Sequence, residues 1–212
     1  MRTLFAIIML LTTVAMSAQS SKPLKQRTAR RGMYTEKYHV LASDTTVWEG
    51  EYSLIYKGNA IERGQYHKGE RVGVWEFYNI HNLVEFYYDY DKQLPMQITP
   101  HSNNKMYSAR TFPPLFLGSP LVPTHFIGQH SYFPQREKET YTDCKVVLAL
   151  EINANGRMTG YHLAETSKEG FNEVILNAAA QIPKDWRWVP SRKDGRNVPG
   201  EYMITVIFEA VE

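Results

Sequence analysis

A strongly apolar run, Cys144-Lys-Val-Val-Leu-Ala-Leu-Glu-Ile152, is followed at once by Asn153-Ala-Asn-Gly156 and a polar stretch from Met158 to Glu165, which leaves the last third of this chain few ways to fold. Asn-Gly between two strand-like runs is a strong hairpin signal, because a tight hairpin turn needs residues at ease with positive φ. Beyond the hairpin, Phe171, Val174, Ile175, Ala178, Ala179 and Ile182 recur at the spacing of one helix face. Thr166 and Glu169 are spaced as a capping box at its start, and Pro183 ends it because proline cannot extend the hydrogen-bond ladder. Trp186-Arg-Trp-Val-Pro190 and Asp194-Gly195 then lead to a closing strand, Glu201 to Phe208. The result is a β-β-α-β unit in which one helix covers one face of a small sheet.

Topology follows from handedness. The first two strands are an antiparallel hairpin, and a right-handed crossover through the helix makes the second and third parallel. The third strand then lies antiparallel to the first, in spatial order 2-1-3, with one side open. Its unpaired N–H and C=O groups are a template for another extended chain. Tyr202, Ile204, Val206 and Phe208 share one face, and Met203, Thr205 and Ile207 the other. Tyr202, Ile204, Thr205, Val206 and Phe208 are the candidate partner-binding residues. A competing expectation is that Ala210-Val211-Glu212, the linker or a second copy of the chain covers this edge, the last giving a homodimer.

The series strand, Asn-Gly turn, strand, Ser167, helix, Trp188-x-Pro190, Gly195, Val198 and Phe208 resembles the C-terminal domain of TonB. TonB carries energy from the inner membrane to outer-membrane transporters of Gram-negative bacteria. The resemblance spans roughly 112–208 if Pro113-Pro114-Leu-Phe-Leu-Gly-Ser119 and Tyr132-Phe-Pro134 are its lead-in. The family usually has a glycine just before the first strand, where this chain has Thr142-Asp143-Cys144. The resemblance implies a non-enzymatic module whose closing strand takes up an envelope protein, such as the box peptide of a TonB-dependent outer-membrane transporter.

Toward the N-terminus, Arg2 precedes an apolar run from Leu4 to Met16, then Ser17-Ala18-Gln19-Ser20. As a helix this run reaches only ~20 Å, short of a ~30 Å hydrocarbon core. It reads as a signal peptide, 1–18, cleaved near Ala18 to Ser20, with a periplasmic product. An uncleaved anchor is the alternative, and membrane contact would then run through this segment alone. Of 24 Lys and Arg, six fall within residues 1–33, which hold no acid, so the remainder is mildly acidic and unsuited to nucleic acid. Residues 19–33 read as a basic linker.

Residues 34–94 lack proline and are crowded with aromatics. Glycines supply tight turns between short strands, and aromatics at alternate positions cover one face. Gly64-x-Tyr66-x-x-Gly69-x-x-x-Gly73-x-Trp75-x-Phe77-Tyr78 resembles a MORN-type repeat, with Val47-Trp48-Glu49 echoed by Val74-Trp75-Glu76. An antiparallel meander of hairpins is expected, with repeats from about Tyr38 to Leu94; its aromatics either bind lipid or protein, as such repeats imply, or simply form the core of a thin sheet. Seven of the eleven prolines lie between Pro95 and Pro134, so 95–134 is a connector, with a helical turn at Thr124 to Gln129 and an apolar Leu115-Phe-Leu117 that must pack on a domain. The remaining 135–212 form the C-terminal domain, and the fold class is α+β.

No catalytic, cofactor-binding or metal-ligating constellation emerges. Cys144 is the sole cysteine, in phase with Val146, Leu148 and Leu150, and reads as a small buried hydrophobe. His125 and His130, five apart, fall on different helix faces. No phosphate loop, nucleophile elbow or His-Glu-x-x-His is present. Two functional expectations remain: a periplasmic non-enzymatic module that binds an extended segment of an envelope protein, or an inner-membrane-anchored energy transducer of the TonB type.

Overall fold

The computed structural model describes residues 23–99, 107–134 and 143–209. The expected signal peptide and the tail from Ala210 lie outside these residues. Seven strands come first: β1 (Leu24–Arg31), β2 (Tyr34–Leu41), β3 (Trp48–Tyr56), β4 (Asn59–His67), β5 (Glu70–Tyr78), β6 (Val84–Asp89) and β7 (Leu94–Ile98). They form one antiparallel meander in chain order. Two-residue turns join β3 to β4 at Lys57-Gly58 and β4 to β5 at Lys68-Gly69, all four residues at positive φ. That is the type I′ turn, whose twist suits a hairpin and whose second residue is best glycine.

The meander is longer than its sequence signature. Leu24–Arg31, expected as linker, pairs residue for residue with β2 from Leu24↔Leu41 to Arg31↔Tyr34. At the other edge, β7 carries Pro95, which an edge strand tolerates. One face of the sheet is aromatic: Tyr52, Trp75, Phe77, Phe86 and Tyr88 are buried, with Tyr38, Trp48 and Tyr66 packed beside them. Phe112, Leu115 and Leu121 of the connector close this cluster, so much of the aromatic face is core.

The connector holds β8 (Leu115–Phe116) and α1 (Leu121–Gln129). Then come β9 (Cys144–Ile152), β10 (Met158–Thr166), α2 (Asn172–Ala179), β11 (Trp188–Val189), β12 (Ser191–Lys193), β13 (Arg196–Val198) and β14 (Gly200–Phe208). The order β10-β9-β14 is the expected 2-1-3, with both pairings antiparallel. Cys144, Val146, Leu148, Leu150 and Ile152 project from β9 into a core with Phe171, Ile175, Ala178 and Ile182. Ile127 of α1 joins this core, so two helices cover the sheet where one was expected. The capping box does not form. The Thr166 hydroxyl instead closes a local turn on the backbone of Lys168, and a 3-10 turn, Glu169–Phe171, leads into α2.

The ribbon β8–β11 ties the two cores together. Trp188 pairs with Phe116 and Val189 with Leu115. Adjacent strand residues point to opposite sides, so Trp188 and Phe116 enter the C-terminal core while Val189 and Leu115 enter the aromatic one. The hairpin turn holds the ribbon from the other side: Trp188 N–H donates to Gly156 O at 3.1 Å. A Cβ on Gly156 would lie 2.0 Å from Trp188 O, so this glycine serves close approach as well as its φ of 70°.

A buried polar cluster fastens the connector to the meander. Ser119 N–H donates to Glu62 Oε1 at 2.9 Å, and Ser119 Oγ donates to Tyr78 O at 2.7 Å. Arg71 donates to Glu62 Oε2 at 3.3 Å, to Tyr90 Oη at 2.8 Å and to Leu117 O at 3.4 Å. Its guanidinium lies 4.1 Å from the Trp75 ring centre. Burial pushes the Glu62 carboxyl above the usual range, and Arg71 pulls against that rise. On the same side, Tyr34 Oη meets His125 Nδ1 of α1 at 2.8 Å.

Candidate functional site

Which backbone groups of β14 are free follows from β9. Ser167 N–H donates to Lys145 O and Asn153 N–H to Arg157 O, so odd-numbered residues of β9 face β10. Even-numbered residues then face β14, where Leu150↔Tyr202, Leu148↔Ile204 and Val146↔Val206 are the partners. The N–H and C=O groups of Glu201, Met203, Thr205 and Ile207 therefore point away from the sheet. Among the described residues, no backbone hydrogen bond reaches Met203, Thr205 or Ile207 on that side.

The two edges of this sheet differ. β10 has register shifts at Met158/Gly160 and at Leu163/Glu165, whereas β14 keeps unbroken register with β9 over its whole length. Bulges and charges blunt an edge against added strands. Only β14 presents a regular template.

The side chains divide as the alternation requires. Ile204 and Val206 are buried, and Tyr202 and Phe208 pack against the same core, with the Phe208 ring tilted against that of Phe171. Four of the five residues named from sequence thus turn their side chains inward. Thr205 faces out, beside Met203 at 49% and Ile207 at 62% exposure. The side chains open to a partner are those of Met203, Thr205 and Ile207, which the period-2 pattern places together. On this outer face His162 sits 3.5 Å from both Glu151 and Glu201.

Beside the first half of β14 lies a pocket of about 480 Å³. Glu201, Tyr202, Met203 and Thr205 form one wall, Pro113 to Phe116 another, and Glu85 and Phe86 of β6 the third. Glu85 is buried, and its Oε1 accepts a bond from Asn79 Nδ2 at 2.7 Å. Burial, reinforced by the Glu85 charge, raises the Tyr202 phenol far above its ordinary range. Nothing in the local sequence signals this pocket, since its walls come from three distant segments. A larger groove of about 720 Å³ lies on the meander around Lys37, Ser53 and Arg63, and no residue of β14 lines it.

The other sequence candidates stay apart. Cys144 is buried, with Ser167 Oγ 3.4 Å from its sulfur. His130 Nδ1 engages Phe126 O within its own helix, while His125 meets Tyr34, and burial lowers the His125 pKa. Among the described residues no group of three or more His, Cys, Asp or Glu is arranged to hold a metal.

The C-terminal module is thus a small α+β unit with one regular, unpaired sheet edge. Residues 129–210 match the family described as the Gram-negative bacterial TonB protein C-terminal. That family is a non-enzymatic protein-interaction module of the Gram-negative envelope. The match begins at the end of α1, so β8 and the connector up to Gly128 lie before it. No curated protein matches the chain. No helix among the described residues is long and apolar enough to cross a membrane.

Proposed function

We propose that this chain is a periplasmic, non-enzymatic binding protein that takes an extended segment of an envelope protein as a fourth strand on β14. The observation that carries the reading is the unbroken, outward-facing edge at Met203, Thr205 and Ile207. Ladder hydrogen bonds contribute ~0.5–1.5 kcal/mol each, against ~1–2 kcal/mol per residue ordered. Backbone pairing alone therefore binds weakly, about micromolar, and side-chain contacts must add to it. The TonB-like match makes a TonB-dependent outer-membrane transporter, through its box peptide, the first partner to test.

Proline at Thr205 removes an outward N–H and puts a ring where the partner's backbone must lie, yet costs no bond to β9. Thr205→Val keeps the backbone intact. Envelope proteins captured by the wild type and by Thr205→Val are expected to be lost from Thr205→Pro, with all three melting alike. Equal capture by a folded Thr205→Pro rules out β14 as the site.

The same family match supports the second reading, an inner-membrane-anchored energy transducer. The mature chain is expected to begin at Gln19 to Ser21, as N-terminal sequencing of the exported protein will read. Recovery of Met1 or Arg2 in a membrane fraction favours the transducer. For the meander, the MORN-type reading is supported by Trp48 and Trp75, which fall on the same aromatic face.

A further inference from the structure

Two carboxylates and two phenols, Tyr107 and Tyr202, line the pocket beside β14, and none of the residues lining it is a lysine, arginine or histidine. Glu85 contributes the buried charge. Asn79 donates to one of its oxygens, no hydrogen bond to the other is seen among the described residues, and the residue lines the pocket. Glu201, the second carboxylate, is half exposed and shared with His162 on the outer face. Between them the walls are apolar: Phe86, Pro113, Pro114 and Phe116.

We propose that this pocket selects a lysine or arginine side chain on the strand that β14 receives, with Glu85 as its counter-charge. The inference rests on the strand-addition reading and specifies the partner's chemistry. A partner strand alongside Met203 and Thr205 sends alternate side chains to one face, and the pocket is bounded by those same two residues. A long aliphatic stem suits walls of proline and phenylalanine, while its cationic tip reaches a carboxylate. An acidic side chain meets two like charges there, and a purely aliphatic one leaves the Glu85 carboxylate without a counter-charge. Because Glu85 belongs to β6, the meander becomes part of the recognition site.

A random dodecapeptide library displayed on phage, panned on the full chain, tests this directly. The expected outcome is enrichment of Lys or Arg at one fixed position. In a synthetic peptide of the selected sequence, replacing that residue with norleucine weakens binding roughly tenfold or more, the loss of a charge-assisted bond. Glu85→Gln retains the size of the side chain and an acceptor for Asn79; on this variant the lysine and norleucine peptides are expected to bind alike. Selection without a fixed basic residue, no selection at all, or a lysine preference undiminished in Glu85→Gln overturns the proposal. Panning on Thr205→Pro separates the two ideas. Loss of all binders there agrees with strand addition, whereas a lysine preference that survives keeps the pocket and removes the added strand.

Discussion

Trp188→Ala is expected to lower the stability of the chain by ~3–5 kcal/mol, the usual cost of emptying a large aromatic site in a core. The ring is 3% exposed and sits between Phe116 at 5.5 Å and Tyr202 at 6.4 Å, centre to centre. It also anchors the ribbon on which both cores close, since its strand neighbour Val189 lies in the aromatic core. Against a total of ~5–15 kcal/mol for a native domain, this is a large fraction. A melting-point drop on the order of 10 °C follows, and thermal unfolding followed by circular dichroism is expected to stay a single transition, because the ribbon couples the two units. The indole N–H has no acceptor among the described residues. Trp188→Phe therefore forfeits ring volume but no hydrogen bond, and is expected to cost well under half as much as alanine. A Trp188→Ala chain melting within a degree or two of the wild type would show that the ring does not hold the ribbon.

Local periodicity made much of the C-terminal module legible. The β9 alternation put Cys144, Val146, Leu148 and Leu150 on one face, and all four are buried. The helical spacing from Phe171 to Ile182 selected six residues, every one of them buried. These signals are strong because each element has one wet face and one dry one. β1 shows the converse. As an edge strand exposed on both faces it carries no hydrophobic alternation, and its Lys and Arg residues read as a solvated linker; only the register with β2 reveals it. α1 was half hidden because Pro120 and Pro123 looked like breakers. Pro123 lies in the first turn, where its missing N–H costs no helical bond.

The site was legible as a backbone and illegible as a surface. Parity assigned Thr205 to one face and Ile204 and Val206 to the other, while the expected partner-binding set took residues from both faces. In a one-sided sheet the strongly apolar face is the one already buried, as Ile204 and Val206 are, and the mixed face of Met203, Thr205 and Ile207 is the one left exposed. The pocket was out of reach altogether. Glu85, Pro114 and Met203 are separated by connections whose packing no spacing rule predicts, and Glu85 in its strand is merely an acid among aromatics.

Arg71→Met is expected to cost about 3 kcal/mol and to loosen the connector from the meander. Removing one member of a buried charge pair strands the other, which costs ~3–5 kcal/mol when both are fully buried. Here the Arg71 side chain keeps 26% exposure against 5% for Glu62, which places the expectation at the lower end of that range. The loss has several parts: the Glu62 counter-ion, the bonds to Tyr90 and to Leu117 O, and the cation held over Trp75. Adding Glu62→Gln to Arg71→Met removes the stranded charge but keeps an acceptor for Ser119 N–H. The double variant is therefore expected to recover more than 1 kcal/mol of the loss, an interaction of the size that neighbouring groups in one network show. Urea unfolding of the wild type, both single variants and the double variant measures this coupling. Losses that simply add would mean that Glu62 and Arg71 act separately, and that the connector is held by its apolar contacts at Leu115 and Leu121 rather than by the charge cluster.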